Sequence, residues 1–255
     1  MPNVTIYNSL GDKIAIFSTE GFSSSIRIGR SSECQVCLKG HADTTVSRVH
    51  LILIQNPFGW KVRNNSKTGM YKDCIKIDET ELKEGDVIRF GALFMGFGNA
   101  SGPSAFDLLW SAVTENGHTR AVLWPGRNSV GSSRDNYVCI RTEDISRIHS
   151  FITVNGNHAV IRSATLANAC MVNGEEIGEG ERELRPNDVI QLADTEVKFV
   201  NAVRVSFQDA AVEVNVRHTS AKGAMEGQNM NVMYVIIALF TVLVVLLVFI
   251  VCKIM

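Results

Sequence analysis

The strongest constraint on the fold of this chain is an internal repeat. Gly29 to Lys39 (GRSSECQVCLK) matches Gly131 to Arg141 (GSSRDNYVCIR) without a gap. Val46 to Ile54 (VSRVHLILI) matches Ile145 to Thr153 (ISRIHSFIT), and Leu82 to Phe90 (LKEGDVIRF) matches Leu184 to Leu192 (LRPNDVIQL). Matched blocks in the same order and at similar spacing mark a tandem duplication. Within each copy, short apolar or alternating runs such as SIRIG, LILI, WKV and DVIRF are cut by Gly, Asn, Asp and Ser about every ten residues, the rhythm of a sandwich or barrel. No long amphipathic helix competes with these runs. The expectation is an all-β soluble region of two units, residues 1–99 and 104–205, joined by the linker-like stretch NASGPSA at Asn99 to Ala105. Two domains also suit the length, since single cores rarely grow to this size.

The C-terminal sequence is of another kind. Val232 to Cys252 (VMYVIIALFTVLVVLLVFIVC) carries no charged residue. At about 1.5 Å of rise per residue, a helix of that length crosses roughly 30 Å of hydrocarbon. A helix apolar on every side needs apolar surroundings on every side, so the segment reads as a single transmembrane helix. Only Lys253, Ile254 and Met255 follow it, the arrangement of a tail anchor. Residues 206–231, including HTSAKGAMEGQNMN, are polar and contain Gly, as expected of a flexible tether. The N-terminus lacks a basic stretch followed by an apolar core, so a secretory signal is not expected and the two units are placed on the cytoplasmic side. The formal net charge of −1 argues against a nucleic-acid partner, which selects for a basic excess. In that compartment the scattered cysteines read as reduced thiols.

The repeated blocks carry a resemblance. Gly29-Arg30, Ser47-Arg48-Val49-His50, the turn Ser66-Lys67-Thr68-Gly69 and Glu84-Gly85-Asp86-Val87-Ile88 resemble, in order and spacing, the forkhead-associated (FHA) domain. The second unit repeats the series with Gly131, Ser146-Arg147-Ile148-His149, Asn168, Val172-Asn173-Gly174 and Asn187-Asp188-Val189-Ile190. The resemblance implies two consecutive β-sandwiches of the SMAD/FHA type, whose loops at one end bind phosphothreonine peptides. The implied partner is a phosphothreonine-containing protein, with no cofactor, no small-molecule substrate and no enzymatic activity.

The residues suit that use. A phosphothreonine presents three acceptor oxygens and a charge of about −1.5 to −2, so its receptor needs a fixed guanidinium and neutral donors converging from loops. In the first unit Arg30 supplies the planar fork, Ser47 a hydroxyl and Arg48 a further cation. The resemblance assigns the peptide main chain to a side-chain amide at the position of Thr68, and a threonine can donate only one hydrogen bond there. In the second unit Ser146, Arg147 and Asn168 match, but Ser132 stands where Arg30 stands in the first and cannot grip a phosphate bidentately. Arg134, two residues on, is the nearest substitute. The resemblance gives His50 and His149 a bracing role beneath the loops. Gly29, Gly69 and Gly131 complete the structural motif, with Gly29 and Gly131 read as turn glycines.

Competing chemistries find little support. Cys34 and Cys37, with His41 nearby, look like half of a zinc site, yet Cys34 aligns with Asn136 and a structural site needs four ligands. No phosphate-cradling glycine loop or nucleophile motif is present. Trp60, Trp110 and Trp124 read as core. The function expected is a membrane-anchored adaptor reading phosphothreonine mainly through its first unit. The alternative is a phosphate-independent scaffold for a membrane-associated complex.

Overall fold

The computed structural model describes residues 2–22, 24–41, 44–99, 102–111, 120–165 and 169–202. The tether at 206–231, the membrane segment at 232–252 and Asn168 lie outside these residues. Among the described residues no helix is long and apolar enough to cross a membrane.

The first unit is built from β1 (Asn3–Tyr7), β2 (Lys13–Ser18), β3 (Ser25–Gly29), β4 (Val36–Cys37), β5 (Leu51–Asn56), β6 (Gly59–Asn64), β7 (Met70–Lys72), β8 (Ile75–Ile77), β9 (Glu79–Leu82), β10 (Val87–Phe90) and β11 (Leu93–Phe97). The second repeats the series as β12 (Phe106–Trp110), β13 (Arg120–Val122), β14 (Gly126–Gly131), β15 (Val138–Cys139), β16 (Ser150–Asn155), β17 (His158–Ser163), β18 (Met171–Val172), β19 (Glu175–Glu176), β20 (Glu181–Leu184), β21 (Val189–Leu192) and β22 (Thr195–Asn201). In the first unit a six-stranded sheet, β2-β1-β11-β10-β7-β8, faces a five-stranded one, β4-β3-β5-β6-β9. The second unit has β13-β12-β22-β21-β18-β19 and β15-β14-β16-β17-β20, the same order strand for strand.

Period-two patterning builds these strands. Ile26 and Ile28 of β3 are fully buried while Arg27 between them is exposed, and Trp60 and Val62 of β6 repeat the pattern. Each unit closes its own core between its sheets. The first core holds Ile6, Leu51, Leu53, Ile88, Phe90 and Met95, and the second Leu108, Val130, Ile152, Ile161, Ile190 and Phe199. Full burial of one such side chain stabilises by roughly 1.5–3 kcal/mol. Trp60 and Trp110 belong to these cores, but Trp124 does not. It packs with Tyr7 and Phe94 of the first unit, because the β13–β14 connection points toward that unit and not into its own sandwich.

The turn before β10 shows why the repeat survives in the sequence. Gly85 has φ of 90° and donates its N–H to Phe97 O, while Asp86 accepts from Lys83 N–H at 2.9 Å. In the second unit Asn187, with φ of 79°, donates to Phe199 O, and Asp188 accepts from Arg185 N–H at 2.7 Å. Gly and Asn are the residues that tolerate this left-handed backbone, so Gly-Asp and Asn-Asp make the same turn.

Candidate functional site

Three loops meet at one end of the first sandwich: 30–35 after β3, 44–50 before β5, and 65–69 between β6 and β7. The first two are locked together through backbone. Arg30 N–H donates to Ser47 O at 3.1 Å, Ser31 N–H to Arg48 O at 2.8 Å, and His50 N–H back to Ile28 O at 2.8 Å. Gly29 lies at this crossing. A Cβ there would stand 2.3 Å from Arg48 O, and at Gly131 one would stand 2.4 Å from Arg147 O. Neither glycine has a positive φ, so the expected turn role gives way to close approach of two backbone segments.

On this frame Arg30 donates through Nε to Val46 O, which fixes the plane of its guanidinium. Its two terminal nitrogens have no partner among the described residues. Val46 is fully buried and plugs the loop into the core. The next residue, Ser47, places its hydroxyl 2.6 Å from that of Ser66. Ser66 Oγ also accepts from Thr68 N–H at 3.1 Å, and Asn64 brackets Ser66 with bonds to its N–H and C=O, each 3.0 Å. In the sequence Ser66 is only part of a turn, yet it joins the second loop to the third. The signal for it was the Asn-x-Ser spacing, since Asn side chains bond backbone two residues on. Arg48 and Thr68 are exposed at this rim.

His50 lies beneath, with no solvent exposure. Its Nδ1 accepts Ser47 N–H at 3.2 Å and its Nε2 is 2.9 Å from Gly69 O. A carbonyl can only accept, so the proton is on Nε2 and the ring is neutral. Burial pushes its pKa below the ordinary value, against the smaller opposing effect of the Gly69 bond. One imidazole thus ties the Ser47 loop to the Thr68 turn. Phe90 meets it edge-on with centroids 5.4 Å apart.

The second unit keeps the frame and changes the tips. Ser132 N–H donates to Ser146 O at 3.0 Å and Ser133 N–H to Arg147 O at 3.2 Å. Ser132 Oγ donates to Ile145 O at 2.7 Å, the same backbone tie that Arg30 Nε makes to Val46 O. Asn136 Nδ2 holds Arg147 O at 2.6 Å, where Cys34 Sγ holds Arg48 O at 3.2 Å in the first unit. Cys34 therefore has a backbone task, and among the described residues no group of three or more His, Cys, Asp and Glu could hold a metal. His149 Nδ1 accepts Ser146 N–H at 3.4 Å, but its buried Nε2 has no partner among the described residues. Burial lowers its pKa as well. Arg147 is exposed. Arg134 is exposed too, while its backbone carbonyl is held by Arg89 of the first unit.

The model of the FHA domain matches this chain twice, at residues 26–91 and 128–193, together more than half of it. The chain belongs to the FHA-domain family. The FHA domain of CT664 protein from Chlamydia trachomatis is 26% identical over 39% of this chain and 99% of its own, with a TM-score of 0.35. The FHA domain of a hypothetical protein of Arabidopsis thaliana is 22% identical over 42% and 97%, with a TM-score of 0.36. Mycobacterium tuberculosis EmbR, in complex with a low affinity phosphopeptide, is 22% identical over 40% of this chain and 26% of its own, with a TM-score of 0.34. No curated protein matches the chain.

Proposed function

We propose that the first FHA unit binds a phosphothreonine-containing segment of a partner protein, and that residues 232–252 hold the reader at the cytoplasmic face of a membrane. FHA domains are phosphothreonine-peptide modules and not enzymes, which supports the binding reading. The observation that carries it to the first unit is Arg30. Its Nε is committed to the Val46 carbonyl, so the guanidinium is pre-oriented and presents its terminal nitrogens to an anion at little entropic cost. Ser47 and Ser66 add hydroxyls in hydrogen-bond contact with each other, and Arg48 adds charge at the rim. Tethering raises the concentration of the reader near partners at the same surface, so modest affinity suffices for recruitment.

The test is calorimetric titration of the chain, in detergent micelles, with a phosphothreonine peptide pool and its unphosphorylated twin. Only the phosphorylated pool should bind, and Arg30→Ala should weaken it by roughly a hundredfold, the loss of about 3 kcal/mol of charge-assisted bonding. Equal binding of both pools, or an Arg30→Ala variant that binds as before, sinks the reading. A second reading, a phosphate-independent scaffold, is favoured by Thr68 and Ser132, which weaken the peptide contact in one unit and the phosphate contact in the other. Under it, partners captured from lysate survive phosphatase treatment.

A further inference from the structure

The six-stranded sheet of the first unit has a second buried face. Tyr7 of β1 pairs with Phe94 of β11, Phe94 with Arg89 of β10, and Arg89 with Tyr71 of β7. Their strand neighbours Ile6, Met95, Ile88 and Met70 point into the core, so by alternation these four side chains form one row on the opposite face. All four are buried, Arg89 to 8% exposure. A guanidinium is left this deep only where its hydrogen-bonding capacity is met.

The second unit meets it. Arg89 donates through one terminal nitrogen to Asp135 O at 2.7 Å and through the other to Arg134 O at 2.6 Å. It lies over the ring of Tyr71, 5.1 Å from the centroid, and 6.0 Å from that of Tyr137. Tyr71 Oη donates to Asp135 Oδ1 at 2.7 Å. Burial, reinforced by Asp135, pushes that phenol up to about 12, so it stays a donor at any physiological pH. Phe94 stacks on Trp124 with centroids 4.3 Å apart, and Tyr7 meets the same indole edge-on. Cys74 Sγ donates to Arg127 O at 2.9 Å and accepts Ser129 N–H at 3.1 Å. The backbone that presents Trp124 is stapled by Asn128, fully buried, which bonds Trp124 N–H and the carbonyls of Trp124, Gly126 and Ile152.

Arg134 and Asp135 sit on the β14–β15 loop, the counterpart of the loop that carries Arg30. Their equivalents in the first unit, Ser32 and Glu33, make no such contact: Glu33 O instead accepts from Arg27 of its own unit at 3.1 Å. The docking face has no equivalent in the second unit either. There Glu196, exposed, and Gln191 and Met171, half-buried, stand where Phe94, Arg89 and Tyr71 stand in the first. The contact therefore runs one way, a head-to-tail joint that ends after two units. We infer that the Tyr7–Phe94–Arg89–Tyr71 row is a receptor for two connections of the second unit, the β13–β14 connection through Trp124 and the β14–β15 loop through Arg134, Asp135 and Tyr137. The loop that reads phosphate in the first unit has become a docking element in the second, and the chain is a rigid tandem with one peptide site.

Hydrogen–deuterium exchange on the intact chain in micelles tests this without any phosphopeptide. In the native chain residues 127–137 and 71–75 should exchange slowly together. Arg89→Ala should speed exchange of both segments at least tenfold while the cores around Ile26–Ile28 and Ile152–Val154 keep their protection. Unchanged exchange at 127–137 overturns the proposal. If Arg89→Ala loses core protection as well, Tyr71→Phe decides: removing one hydroxyl should speed the same segments by a smaller factor, and no change again overturns it. Arg30→Ala should leave this protection intact, so a chain that docks its units but ignores phosphothreonine refutes the binding function alone.

Discussion

The two FHA units share strand order, sheet partners and the backbone crossing beneath their loops, yet only the first has an arginine directly after the crossing glycine, where the second has Ser132. Arg30 and Ser132 make the same bond to the carbonyl of the residue before the Ser-Arg pair. Arg30 thus has two tasks, holding the loop and presenting charge, and Ser132 performs the first without the second. The difference teaches that such a loop can keep its shape with or without the charge, because the shape rests on backbone bonds that a smaller side chain can still complete.

The largest test of that comparison exchanges the two residues. Arg30→Ser should leave the melting temperature of the chain nearly unchanged while phosphothreonine affinity falls by roughly a hundredfold. Ser132→Arg in that background should restore phosphate-dependent binding, read by the same titration, if charge is all the second unit lacks. Failure to restore it would show that the second loop has diverged beyond one residue.

Next come the crossing glycines, where the units should behave alike. Gly29→Ala and Gly131→Ala each force a Cβ against a backbone carbonyl, and overpacking of this kind costs about 1–3 kcal/mol, visible in denaturant unfolding. A marked inequality between them would break the comparison at the level of the frame.

The bracing histidines should be unequal. His50→Ala leaves Ser47 N–H and Gly69 O without their partner, so it should cost about 1 kcal/mol more than His149→Ala. Both rings are held neutral with pKa below the usual 6.5, so the unfolded chain takes up these protons first. Their contribution to stability is therefore full above about pH 6.5 and shrinks as pH falls below it. Melting temperature should drop on acidification through that point, and less so in His50→Ala. A flat profile would mean that folding leaves the two rings at their unfolded pKa values.

The smallest effect belongs to Thr68→Asn, which restores a side-chain amide at the peptide rim. It should tighten phosphothreonine peptides a few-fold, within about 1 kcal/mol, and leave unphosphorylated ones unbound.

Much of this was legible in the sequence. The repeat gave away the two units, alternation marked the strands, and the Gly-Arg and Ser-Arg-x-His blocks located the loops, since each of these depends on residues close in the chain. The joint between the units was harder to see. Arg89 and Phe94 read as ordinary strand residues, and Trp124 as core, because which sheet face is covered depends on where a distant segment lands. A trace of it was present: Leu93 to Phe97 is apolar without alternation, the mark of a strand covered on both sides, and its counterpart in the second unit carries Glu196 and Lys198. The role of Ser66 is hidden in the sequence for a similar reason, as its bond to Ser47 spans two loops.

The arrangement of the chain ends has a mechanical consequence. In each unit the first and last strands lie side by side and antiparallel, with Gly98 N–H on Asn3 O and Ala202 N–H on Ala105 O closing the pair at 2.7 Å. The first strand starts where the last one finishes. Force applied to the two ends of a unit would therefore peel β1 from β11, or β12 from β22, one rung at a time and never shear the whole ladder at once. Such a unit yields at low load, so tension on this chain would open a sandwich from its seam long before it tore the loops that carry Arg30 and Ser47.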